Sequence, residues 1–97
     1  MKRTHHTYYV YILCNKPKGV LYIGVTAGIH GRLERHKLGE GSKFTKKYNV
    51  THLVYYEEFQ YIIDAIAREK KLKKWKRAWK IALIEEENPE WKDLITV

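Results

Sequence analysis

The chain has 97 residues, enough for one domain (residues 1–97) around a single modest core. With 44% hydrophobic and 31% charged residues it is not a disordered polymer, and its one cysteine, Cys14, excludes a disulfide framework or a cysteine-based zinc cluster. A formal net charge of +8 calls for a polyanionic partner, with nucleic acid ahead of an anionic membrane.

In chain order, residues 8–14 (YYVYILC) and 20–25 (VLYIGV) alternate with period two and predict strands joined across NKPKG. The first run is too short and too rich in tyrosine for a signal peptide or a membrane span. Together with the lone cysteine, that gives the expectation of a cytoplasmic protein. A loop at residues 15–18 would set Tyr11 opposite Tyr22 and Tyr9 opposite Gly24, and any slip that keeps the faces also keeps the three phenols together. Alternation places Tyr8, Val10, Ile12 and Cys14 on one face with Leu21, Ile23 and Val25, a nearly aliphatic surface. Tyr9, Tyr11 and Leu13 share the other face with Val20, Tyr22 and Gly24, so hydroxyls gather around a residue that leaves room beside the backbone.

A short helix is predicted at 29–38, then a polar basic loop at 39–49 and a third strand at 51–59. Helices follow at 62–74 and 77–87, and Asn88-Pro89 stops the second. Three strands followed mostly by helix make an α+β fold, a small three-stranded sheet flanked by helices.

Some residues do not fit an ordinary core. Ile62, Ala65, Ile66 and Leu72 form one helical stripe, and Glu69 falls in the middle of it. A carboxylate aimed inward costs several kcal/mol without a charged partner or a metal; a Glu–Lys or Glu–Arg ion pair is its ordinary resolution. In the first helix Ile29, Leu33 and His36 share a side, with Arg32 one turn before His36. A core histidine and a solvated arginine are the ordinary fates of that pair. Together, however, two phenols, a histidine, an arginine and a carboxylate can perform phosphodiester chemistry. Arginine holds a phosphate, one carboxylate holds Mg²⁺ that keeps most of its waters, and a phenol relays a proton.

On these residues the chain resembles the GIY-YIG endonuclease family. Tyr9-Val10-Tyr11 corresponds to the first triplet, and Tyr22-Ile23-Gly24 is the second, letter for letter. GVTAGIHGRLERH is similar to the segment that carries the family's arginine and histidine, here Arg32 and His36. DAIAREKKLKKWKRAWKIALI is similar to the helix that carries its glutamate, here Glu69. The likeness runs from residue 8 to about 94, and GSKFTKKYN, LVYYEEF and NPEWKDL resemble the small stand-alone bacterial members. Tyr9 replaces the glycine of the first triplet, Gly28 stands where an acidic cap is usual, and Gly31 weakens the first helix by about 1 kcal/mol.

The resemblance implies a GIY-YIG-like fold and a nuclease hydrolysing DNA phosphodiester bonds with Mg²⁺ or Mn²⁺, acting on structured substrates in repair or recombination. In the roles it implies, Tyr11 activates the attacking water and Tyr22 orients water or phosphate. Arg32 neutralises the scissile phosphate, and Glu69 holds the metal. A free phenol has a pKa of about 10, so Tyr11 needs help from His36, Arg32 or metal-bound water. Charge places the DNA (or RNA) track on Lys43, Lys46 and Lys47 and above all on Lys70, Lys73, Lys74, Lys76 and Arg77, which with Lys71 and Lys80 interleave with Trp75 and Trp79. The other reading is a non-catalytic nucleic-acid-binding module of the same fold. A membrane-surface protein is disfavoured, because no long amphipathic helix with an aromatic face is present in the pattern.

Overall fold

The structure is a computed structural model that describes residues 7–28 and 43–95, with the backbone alone at 43–45. Strands β1 (Tyr8–Cys14), β2 (Leu21–Thr26) and β3 (His52–Phe59) form an antiparallel sheet in the order β2-β1-β3. Helix α1 (Lys43–Tyr48) precedes β3, and α2 (Ile62–Lys74) and α3 (Arg77–Glu87) follow it. The expected α+β architecture, and both long helices, are as the hydrophobic periodicity sets them. The predicted first helix at 29–38 lies outside the described residues.

The sheet separates two apolar clusters, as the alternation requires. Val10, Ile12, Cys14 and Ile23 pack on the helix side with Ala65 and Leu72 of α2 and Ile84 of α3. Tyr11 and Leu13 pack on the other side with Val50 and Leu53, joined by Tyr9, Val20, Tyr22 and Ile95. β1 is central and therefore buried on both faces. A bulge in β3 opposite Ile12 and Leu13 leaves Val54 and Tyr55 both in the helix-side cluster.

Two local expectations are corrected. The hairpin pairs Tyr11 with Gly24, Leu13 with Tyr22 and Tyr9 with Thr26, two residues from the predicted register. The reason lies in the connection, which extends to Val20. Asn15 Oδ1 accepts from the Val20 amide at 2.8 Å, the Gly19 amide donates to the Lys16 carbonyl at 2.9 Å, and Lys18 adopts a left-handed φ of 59°. The slip is even, so every side chain keeps its face. The second correction is at 43–48, which is helical and not loop; a six-residue helix with a glycine-rich approach carries too little periodic signal to be seen.

α2 and α3 are separated without glycine or proline. Trp75 (φ −67°, ψ 150°) and Lys76 (φ −62°, ψ 149°) are extended, and the chain turns there. Asp64 in the first turn of α2 and Lys71, Lys73 and Lys74 in its last complement the helix dipole. After α3, the buried Asn88 amide donates to the carbonyls of Val54 (3.1 Å) and Lys92 (2.9 Å). Asp93 Oδ1 accepts from the Leu53 amide and the Leu94 amide donates to the Leu53 carbonyl, so the last described residues are tied to β3.

Candidate functional site

Tyr11 is wholly buried and lies across from Gly24. A Cβ on Gly24 would stand 2.5 Å from the Tyr11 hydroxyl oxygen and 2.6 Å from Cζ, so the phenol fits only because that residue has no side chain. The Tyr22 ring is tilted 40° to that of Tyr11, with centroids 6.3 Å apart. Tyr9, half-buried on the same face, meets Tyr56 edge-on at 6.0 Å. Burial, and then the charge and hydrogen bonding of Glu58, hold the Tyr9 phenol above its ordinary pKa. The structure therefore brings the sequence-predicted tyrosines together, as strand parity demands.

Glu69 lies between Ala65 and Leu72 on α2, both fully buried, and its side chain is 16% exposed. Lys73, one turn on, places its ammonium 3.2 Å from Glu69 Oε2. The inward carboxylate is thus real and is ion-paired within its own helix. The buried residues of α2 pack on the face of the sheet opposite the phenols. What joins the two sides is the edge of β2. A groove of about 310 Å³ runs there, lined by Leu21, Tyr22 and Ile23 of β2, Lys73 of α2 and Lys80 of α3. Tyr22 and the cation paired with Glu69 share this groove. Arg32 and His36 lie outside the described residues.

The basic residues divide into several kinds. Lys46 and Lys47 are exposed on α1, with the Lys47 ammonium 5.3 Å from the Tyr48 ring centroid. Lys70 and Lys74 are exposed on α2. Lys43 is placed at the start of α1 by its backbone. The Lys76 ammonium lies 5.7 Å from the Trp79 ring centroid. Arg77 Nη2 donates to the carbonyls of Lys18 and Gly19, both at 2.5 Å, and so closes the hairpin loop onto α3. Lys80, a member of the same basic run, lines the groove and donates to the Lys73 carbonyl at 3.4 Å.

One polar cluster escapes the sequence reading. Arg68 of α2 makes paired hydrogen bonds to Glu57 of β3, Nε to Oε1 and Nη2 to Oε2, each 2.9 Å. The Tyr55 hydroxyl donates to Glu57 Oε2, and the Arg68 guanidinium lies 5.2 Å from the Trp75 ring centroid. Burial pushes the Glu57 carboxyl up, yet the hydrogen bonds from Arg68 and Tyr55 and the Arg68 charge outweigh it and hold the group below 4.5. Burial and the hydrogen bond to Glu57 together raise the Tyr55 phenol. The available signal was the spacing of Tyr55 and Glu57, two apart on one strand face.

The fold thus carries a buried phenol packed on a glycine, a second phenol at the sheet edge and an inward carboxylate on the following long helix. The family model described as the GIY-YIG catalytic domain matches residues 7–82, and the chain belongs to that family of nucleases. The chain is 37% identical over 81 residues to the UPF0213 proteins of Staphylococcus aureus strains Mu3 and N315, a match covering 82% of this chain and 96% of each of those. It also superposes on the solution NMR structure of the UPF0213 protein BH0048 from Bacillus halodurans with a TM-score of 0.56 and 28% identity, over 94% of this chain and 99% of that one.

Proposed function

We propose that the protein is a divalent-metal-dependent endonuclease that hydrolyses DNA phosphodiester bonds, with RNA as the other polymer of the same chemistry, in repair or recombination. The observation that carries this reading is the β2-edge groove, which is lined by both Tyr22 and Lys73, the partner of the inward Glu69. Backbone phosphates enter along that groove, and Lys73 and Lys80 offer ammonium groups to them. Tyr22 orients the phosphate or the attacking water. Tyr11 has no exposed surface, so it works behind Tyr22, assisting the water that Tyr22 positions. Arg32 clamps the scissile phosphate and His36 takes the phenol's proton.

Among the described residues no group of three or more His, Cys, Asp or Glu side chains is placed to hold a metal ion. A single carboxylate still suits Mg²⁺, or Mn²⁺ in its place, because such ions keep several waters and take further ligands from substrate phosphate. Glu69 is the residue that fits, since its side chain is only 16% exposed and its partner, Lys73, is a half-exposed lysine at the groove. The ion would supply Lewis-acid stabilisation of the leaving oxygen. Incubating the full-length protein with a panel of single-stranded, flapped, branched and duplex DNA and RNA, with Mg²⁺ and with EDTA, tests the reading. Cleavage of at least one substrate in Mg²⁺, abolished by EDTA, is expected. Binding without any cleavage in Mg²⁺ or Mn²⁺ would leave a nucleic-acid-binding module in place of a nuclease.

A further inference from the structure

Trp79 is the feature that the nuclease reading leaves unused. Tryptophan normally hides most of its surface, yet this indole is 54% exposed in the first turn of α3. Trp75 meets it edge to face, with centroids 5.9 Å apart and planes at 86°, which fixes the ring in place. The Lys76 ammonium hovers 5.7 Å from the ring centroid, and the next residue along, Lys80, lines the β2-edge groove with Lys73. The apolar residues that follow on α3 do not widen the ring into a patch, because Ile81 and Leu83 turn into the core. A bilayer would need such a breadth of apolar surface. What stands here is a single aromatic ring among cations, next to a basic groove.

That combination matches the chemistry of an unpaired nucleotide, whose base presents a π-face while its phosphate presents charge. Paired bases hide their faces in the duplex stack and cannot use such a ring. We propose that Trp79 is a stacking platform for an unpaired nucleobase, with Lys76 and Lys80 taking the flanking phosphates, so that the preferred substrate is single-stranded or carries an unpaired nucleotide near the cut. Lys76 leaves the ring face when the base arrives and keeps its charge within reach of the backbone. The inference rests on the nuclease reading and adds to it the form of the substrate.

The test compares the wild-type chain with Trp79→Ala and Trp79→Phe in EDTA at one salt concentration, against an oligothymidine of about 20 nucleotides and a blunt duplex of equal length. Circular dichroism confirms the fold of each variant, and the phenylalanine variant keeps a ring in place should alanine disturb the packing on Trp75. Trp79→Ala should weaken single-strand binding roughly 5- to 150-fold and duplex binding by less than about twofold, with Trp79→Phe recovering most of the loss. Single-strand binding should also quench tryptophan emission in the wild type. Equal losses on both polymers, or none on the single strand while Lys73→Glu still weakens both, would overturn the platform and leave the nuclease reading standing. Failure of the wild type to bind either polymer would defeat both. Binding to phosphatidylglycerol vesicles with no response to oligonucleotide would assign the ring to a lipid surface instead.

Discussion

Gly24 shows how one residue fixes the chemistry of its neighbours. Its missing side chain is the space in which the Tyr11 phenol ends, 2.5 Å from where a methyl group would begin. The obstruction would be an aromatic ring buried on every side, which cannot swing away. Gly24→Ala should therefore destabilise the fold by about 1–3 kcal/mol, the usual cost of overpacking a filled core. Urea denaturation followed by tryptophan fluorescence measures it, and a neutral result would mean that Tyr11 moves freely. Tyrosine spacing and the glycine were both legible in the sequence, because period-two alternation assigns faces whatever the register. The exact pairing was not legible. It depends on Asn15 capping the Val20 amide and on a left-handed Lys18, and a lysine carries no signal for that conformation.

At the scale of elements, the question is what holds α2 on the sheet. Apolar burial of Ala65 and Leu72 supplies part of the answer, and both were predicted from the stripe. The rest is the Glu57–Arg68 pair, which joins β3 to α2 across 11 residues of sequence. Nothing in either segment alone shows that these two charges meet; only the packing of strand against helix does. Glu69 was legible for the opposite reason, since its anomaly lies within one helical stripe. The pair carries a pH signature. The folded-state carboxyl of Glu57 lies below its ordinary 4.5, so its stabilisation is present above that value and is lost as pH falls through the lowered folded-state value. Arg68→Ala should cost about 1–3 kcal/mol near neutral pH. It should also flatten the fall in stability below about pH 4.5, read from thermal unfolding as a function of pH. An acid limb as steep in the variant as in the wild type would show that other carboxylates set it.

The whole molecule combines a sheet with two buried faces, a strand edge flanked by lysines, and a strong excess of positive charge. Fold class and the phenol-bearing face could be read from periodicity, while the groove could not. It arises where β2, α2 and α3 meet, and it recruits Lys80 from the second half of the basic run while Arg77 is turned away to the hairpin loop. No helix among the described residues is long and apolar enough to cross a membrane. In the proposed function this edge is the hydrolytic site, organised around Glu69. Glu69→Gln keeps the shape of the side chain and removes its charge, so it separates cutting from binding. The decisive measurement is the rate of Mg²⁺-dependent cleavage by purified Glu69→Gln and wild-type protein on one substrate, alongside the affinity of each for that substrate. The variant should bind at least as tightly and cut at least about a hundredfold more slowly, the usual scale for losing one transition-state contact. Cleavage by Glu69→Gln at the wild-type rate would contradict that role for Glu69.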